Sequence, residues 1–84
     1  MIERIISRLK AIDGVNVARH YRAKEGTDWY IHFDVSGSGP LWRVLTAAEG
    51  ANCLVSLYRQ DGGFRYWIKV PEENRDTLLD FLER

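Results

Sequence analysis

His20, His32 and Asp34 are the residues of this chain best suited to moving a proton or holding a metal. An imidazole titrates near neutrality and ligates zinc, and a carboxylate supports either task. Two histidines on one face of a hairpin make half a zinc site with Asp34 as a third ligand, or the core of an acid–base set. The rest of the sequence does not extend that set. It has no His-Glu-x-x-His, no P-loop, no Gly-x-Gly-x-x-Gly and no cysteine pair at metal spacing. Cys53, the single cysteine, has Asn52, Leu54 and Val55 beside it and no base. It reads as a small buried hydrophobe rather than an activated thiol. Ser7, Ser36, Ser38 and Ser56 lie in no nucleophile elbow. Gly37-Ser38-Gly39 is too short to be an anion loop and reads as a linker running into a helix. The expectation is a protein that is not an enzyme and carries neither metal nor cofactor.

The second group of residues with chemical potential is aromatic and basic: Tyr30, Tyr58, Arg65, Trp67 and Lys69. Their placement depends on the elements around them. Ile2, Ile5, Ile6, Leu9 and Ile12 recur at helical spacing up to Gly14, and Leu41, Trp42, Val44, Leu45 and Ala48 repeat the pattern between Pro40 and Gly50. Pro71 opens a third helix with Leu78, Leu79 and Leu82 on its apolar stripe. Between helices the period is two. Asp61-Gly62 is a hairpin turn that pairs Tyr58 with Arg65, Ser56 with Trp67 and Leu54 with Lys69. Ala51, Cys53, Val55 and Leu57 then face inward with Phe64, Tyr66, Ile68 and Val70. The first hairpin turns at Lys24-Glu25-Gly26-Thr27, with Trp29, Ile31, Phe33 and Val35 inward against Val15, Val17 and Tyr21. That register drives Arg19 inward, a conflict that a bulge or a rim position would resolve.

Segments also recur at a spacing of about 36 residues, which marks a duplicated unit. Asp13-Gly14-Val15-Asn16-Val17 answers to Glu49-Gly50-Ala51-Asn52-Cys53, and Tyr21-Arg22 to Tyr58-Arg59. The expected fold is a single α+β domain over 1–84, a two-layer sandwich of order αββαββα. Two αββ copies, about 1–36 and 37–70, share one core, and 71–84 cap it. Four mostly antiparallel strands carry three helices on one face. This order is a circular permutation of the ferredoxin-like βαββαβ arrangement and resembles the layout of the pterin-carbinolamine dehydratases. The paired histidines and the His-Pro-acid-aromatic segment of that family are absent from this chain.

The chain has 84 residues, 45% hydrophobic and 29% charged, with twelve basic residues balancing twelve acidic ones. No global field draws it to nucleic acid or to an anionic membrane. No apolar run is long enough for a membrane span and no signal peptide precedes the first helix, so the expected location is cytoplasmic.

Alternate counting assigns His20, Arg22, Tyr30, His32, Tyr58, Arg65, Trp67 and Lys69 to the outer sheet face, together with Asp34, Leu54 and Ser56. Exposed contiguous aromatics mark a contact surface. The expected function is a small interaction module that binds a protein partner through this face, either another copy of itself or a larger target that it inhibits. The alternative is single-stranded nucleic acid stacked on the same residues.

Overall fold

In a computed structural model, which describes residues 2–84, the chain alternates helices and hairpins. The elements are α1 (Ile2–Ala11), β1 (Val15–Arg22), β2 (Trp29–Val35), α2 (Ser38–Gly50), β3 (Leu54–Gln60), β4 (Gly63–Val70) and α3 (Arg75–Glu83). A single 3-10 turn at Glu72–Asn74 leads into α3, so the last helix begins at Arg75 rather than at Pro71. The strands form one open antiparallel sheet in the order β1-β2-β4-β3.

Helix formation follows the apolar spacing. Ile2, Ile5, Ile6 and Leu9 are the buried residues of α1, Val44, Ala47 and Ala48 those of α2, and Leu78, Leu79 and Leu82 those of α3. All of them enter one core with Val15, Ile31, Phe33, Ile68 and Val70 from the inner sheet face. Polar contacts fasten the layer from above. The Arg43 guanidinium of α2 donates to the carbonyls of Phe81 and Leu82 at 3.1 and 3.0 Å, satisfying acceptors that α3 leaves unpaired at its end. Arg4 and Arg8 of α1 both reach Glu83.

The ends of α2 differ from the sequence expectation. The helix starts at Ser38, before Pro40, and the residue in left-handed backbone after it is Asn52 (φ 56), not Gly50. Gly50 is required for space instead. A Cβ there would sit 2.6 Å from the Phe81 ring of α3, well inside van der Waals contact.

The second hairpin has the expected register, with Leu54↔Lys69, Ser56↔Trp67 and Tyr58↔Arg65. Positive φ at both Asp61 (50) and Gly62 (81) gives the two-residue turn whose twist matches the strands it joins. In the first hairpin the register slips between Val17 and Arg19, because Ala18 has no partner on β2. This bulge resolves the Arg19 conflict. Val17 faces Phe33 on the inner side, whereas Arg19 faces His32 on the outer side. Every later residue of β1 changes face with it. Tyr21 therefore points outward beside Tyr30, and His20 and Arg22 lie on the helix side opposite Ile31 and Trp29. The assignment of His20 and Arg22 to the outer face is thereby corrected.

Phe33 is fully buried and stacks on Tyr66 at 5.5 Å, so its removal empties the centre of the core. Phe33→Ala is expected to cost about 3–5 kcal/mol in urea unfolding, a large share of a small domain's stability. Deleting Ala18 leaves the facing of Arg19 and Tyr21 unchanged, because the period of two then runs unbroken from Val17. That variant is expected to fold with its near-UV aromatic signal retained, and loss of that signal would contradict the assignment of the bulge.

Candidate functional site

The uncovered face of the sheet is built in three rows that cross all four strands. Tyr21, Tyr30, Lys69 and Leu54 form the first row, Arg19, His32, Trp67 and Ser56 the second. Asn16, Asp34, Arg65 and Tyr58 follow from the same registers as the third. Of the residues expected here, the structure brings together Tyr30, His32, Tyr58, Arg65, Trp67 and Lys69. It adds Tyr21 and Arg19, which alternate counting missed. The misfit of Arg19 was the sequence signal that could have placed both.

His32 is the centre of the face and is only 5% exposed, although no helix covers it. Aromatic side chains bury it instead. The Tyr21 ring stacks on the imidazole at 5.5 Å and on Tyr30 at 5.6 Å. Tyr58 meets the imidazole edge-on at 5.6 Å, and Tyr30 meets Trp67 edge-on at 5.5 Å. Both ring nitrogens of His32 have partners, Nδ1 with the Tyr58 hydroxyl at 2.8 Å and Nε2 with the Tyr21 hydroxyl at 3.3 Å. A neutral imidazole donates through one nitrogen and accepts through the other, so one hydroxyl accepts from the ring while the other donates to it. Burial holds the His32 pKa below its ordinary value, and the positive charges of Arg19 and Arg65 act in the same direction.

The charged groups at the edges of the cluster are engaged sideways. Arg65 donates to both oxygens of Asp34 through Nε at 2.8 Å and Nη2 at 3.1 Å, a two-pronged pair that fixes both planes. Those bonds hold the Asp34 carboxyl below its usual pKa, with the Asn16 side chain assisting. Lys69 lies 3.5 Å from Asp28. Arg19 places its guanidinium 5.5 Å from the Tyr21 ring centre, within cation–π range.

This geometry separates the catalytic and metal candidates. His20 is on the opposite face from His32, with its ring 6.0 Å from Trp29 and beside Glu3, Ile6, Ser7 and Lys10 of α1. His20 and His32 therefore cannot share a ligand or a proton. Asp34 is bound by Arg65, and no group of three or more His, Cys, Asp or Glu among the described residues is placed to hold a metal ion. Cys53 is buried, and burial pushes its thiol up to about 11.

No protein-family model matches the chain, and neither a curated protein nor a solved structure matches it. No helix among the described residues is long and apolar enough to cross a membrane.

The lowered pKa of His32 has a definite consequence for stability. The unfolded chain takes up this proton near pH 6.5, and the folded chain only at lower pH. Between those values the unfolded state holds more protons, so the His32 contribution is complete above about pH 6.5 and falls away on acidification. Asp34 acts in the same direction but only below its own ordinary value of 3.8. Thermal unfolding between about pH 7 and pH 5 should show a fall in Tm that is smaller in His32→Gln, which cannot titrate. Equal slopes in the two proteins would refute the assignment.

Proposed function

We propose that this chain is a small, non-enzymatic interaction module that binds a protein partner through the uncovered face of its sheet. The observation that carries this reading is the aromatic cluster around His32. Tyr21, Tyr30, Tyr58 and Trp67 are locked to one another and to the imidazole by ring contacts and hydroxyl bonds. Such a surface presents large rings whose rotamers are already fixed, so little side-chain entropy is lost on binding. Tyr and Trp are the residues that dominate protein–protein contacts.

Charge favours protein over nucleic acid as the partner. Arg65 and Lys69 are already paired with Asp34 and Asp28, whereas Arg19 lies over the Tyr21 ring. A strand of phosphates needs a basic track, and this face offers none of the necessary length. Blocking a larger target by occlusion is a role that fits a compact slab of 33 × 31 × 19 Å. A cytoplasmic location fits a chain whose one cysteine is buried as a thiol.

The same reading extends to the origin of the fold. Each hairpin sets its first strand at an edge and its second at the centre, which supports two αββ copies arranged as a permuted ferredoxin-like sandwich.

Tyr21 is 43% exposed, so Tyr21→Ser removes a ring from the surface without opening the core. Affinity purification with the wild-type chain, followed by titration of the captured protein, should show binding weakened at least about tenfold in Tyr21→Ser and in Trp67→Ser. A captured protein that binds both variants as tightly as wild type would refute the proposal. Recovery of oligonucleotides alone, with steep salt dependence, would select the nucleic-acid alternative.

A further inference from the structure

The two edges of the sheet are protected to different degrees. An edge strand offers unpaired N–H and C=O groups, and monomeric proteins blunt it with bulges, charges or proline. Edge β1 has such devices: the Ala18 bulge breaks its line, and Arg19, His20 and Arg22 follow. Edge β3 has almost none. Its seven residues pair with β4 without a register shift and include no proline and one charged residue, Arg59. The Asp61-Gly62 turn closes on Gln60 and Gly63, so the alternation of an antiparallel ladder directs the N–H and C=O of Val55, Leu57 and Arg59 to the open side.

The side chains along this edge are apolar and open. Leu54 is 59% exposed on the outer face, and Leu57 is 55% exposed on the inner face, beyond the reach of the helices. Beside them, a groove of about 520 Å³ runs between α2 and β3, lined by Leu45, Ala48, Leu54 and Val55 among others. Trp42, on the rim of that groove, is 68% exposed. Sequence periodicity placed both Trp42 and Leu57 in the core, and the structure leaves both outside it.

We propose that β3 pairs antiparallel with β3 of a second copy of this chain, joining two four-stranded sheets into one continuous sheet. Three observations favour a second copy as the occupant. The strand is self-complementary: with a dyad at Ser56 or Leu57, Arg59 comes opposite Cys53 or Val55 of the copy and never opposite its own equivalent. Like charges are thus kept apart, as a paired ladder requires. A dyad perpendicular to the sheet also keeps both helical layers on one side, so the two α2 helices flank the joint and cover both Trp42 side chains. An added peptide strand would satisfy the edge and leave Trp42 in water. The area is also of the right order. Trp42, Leu54, Leu57 and the neighbouring Phe64 expose on the order of 500 Å² per copy, against roughly 800 Å² per partner in a stable interface, with the backbone edge still to add.

This joint runs along the β3 edge, across the sheet from Tyr21 on β1, and stands whether or not the aromatic face binds a partner. Sedimentation equilibrium at about 100 μM decides it, because dimer population depends on concentration. The wild-type chain is expected at twice 9.8 kDa. Leu57→Lys places a charge on the joint and is expected to weaken the dimer at least about tenfold. Trp42→Ser, at a position too exposed to affect folding, is expected to weaken it in the same direction. A wild-type chain at 9.8 kDa overturns the proposal. So does a dimer that survives Trp42→Ser and Leu57→Lys with both variants folded, or one that is lost in Tyr21→Ser instead.

Discussion

Ile31 and Ile68 face each other on the two central strands with no exposure to solvent, under all three helices, and the rest of the structure is arranged around that contact. Burying them requires that β2 and β4 be neighbours, which makes β1 and β3 the edges. It also fixes which side of each strand faces the helices. Phe33 and Val70 extend the buried row along the same two strands, and each helix adds its apolar stripe to it. With one face thus committed, His32, Tyr30, Trp67 and Lys69 have no alternative to the other face.

His32 shows how such a face can be buried without a covering layer. An imidazole removed from water costs stability unless both nitrogens find partners. Here Tyr58 and Tyr21 supply them from the two edge strands, on either side of the central pair. The Tyr21 contact depends on the bulge at Ala18. Were Ala18 instead paired in the regular ladder, Tyr21 would point to the helices and Nε2 would lose its hydroxyl. One unpaired backbone residue therefore links edge geometry, imidazole burial and the lowered pKa.

The parts of the fold that were legible in the sequence are those set by local rules. The register of the second hairpin follows from a two-residue turn, which leaves no slack between Tyr58 and Arg65. The helix stripes follow from the spacing of Ile5, Leu9, Val44 and Leu78. The first hairpin was legible only as a contradiction at Arg19, because the longer loop over 23–28 does not pin the register. Pro71 marked the start of the last helical segment correctly in kind but not in place, since the 3-10 turn at Glu72–Asn74 precedes α3. Gly50 likewise read as a stop signal, whereas its bare Cα accommodates the Phe81 ring.

By itself, the sequence determined the order of elements, the second hairpin's register and the buried stripe of each helix around Ile5, Leu9, Val44 and Leu78, because each rests on periodicity or turn chemistry within a few residues. Only the tertiary structure decided that His20 and His32 lie on opposite faces, that Tyr21 joins the aromatic cluster, and that Trp42 and Leu57 stay exposed. The physical reason is the same in each case. A side chain's facing is local until a bulge changes it, and its burial depends on how far the helices of another segment reach across the sheet.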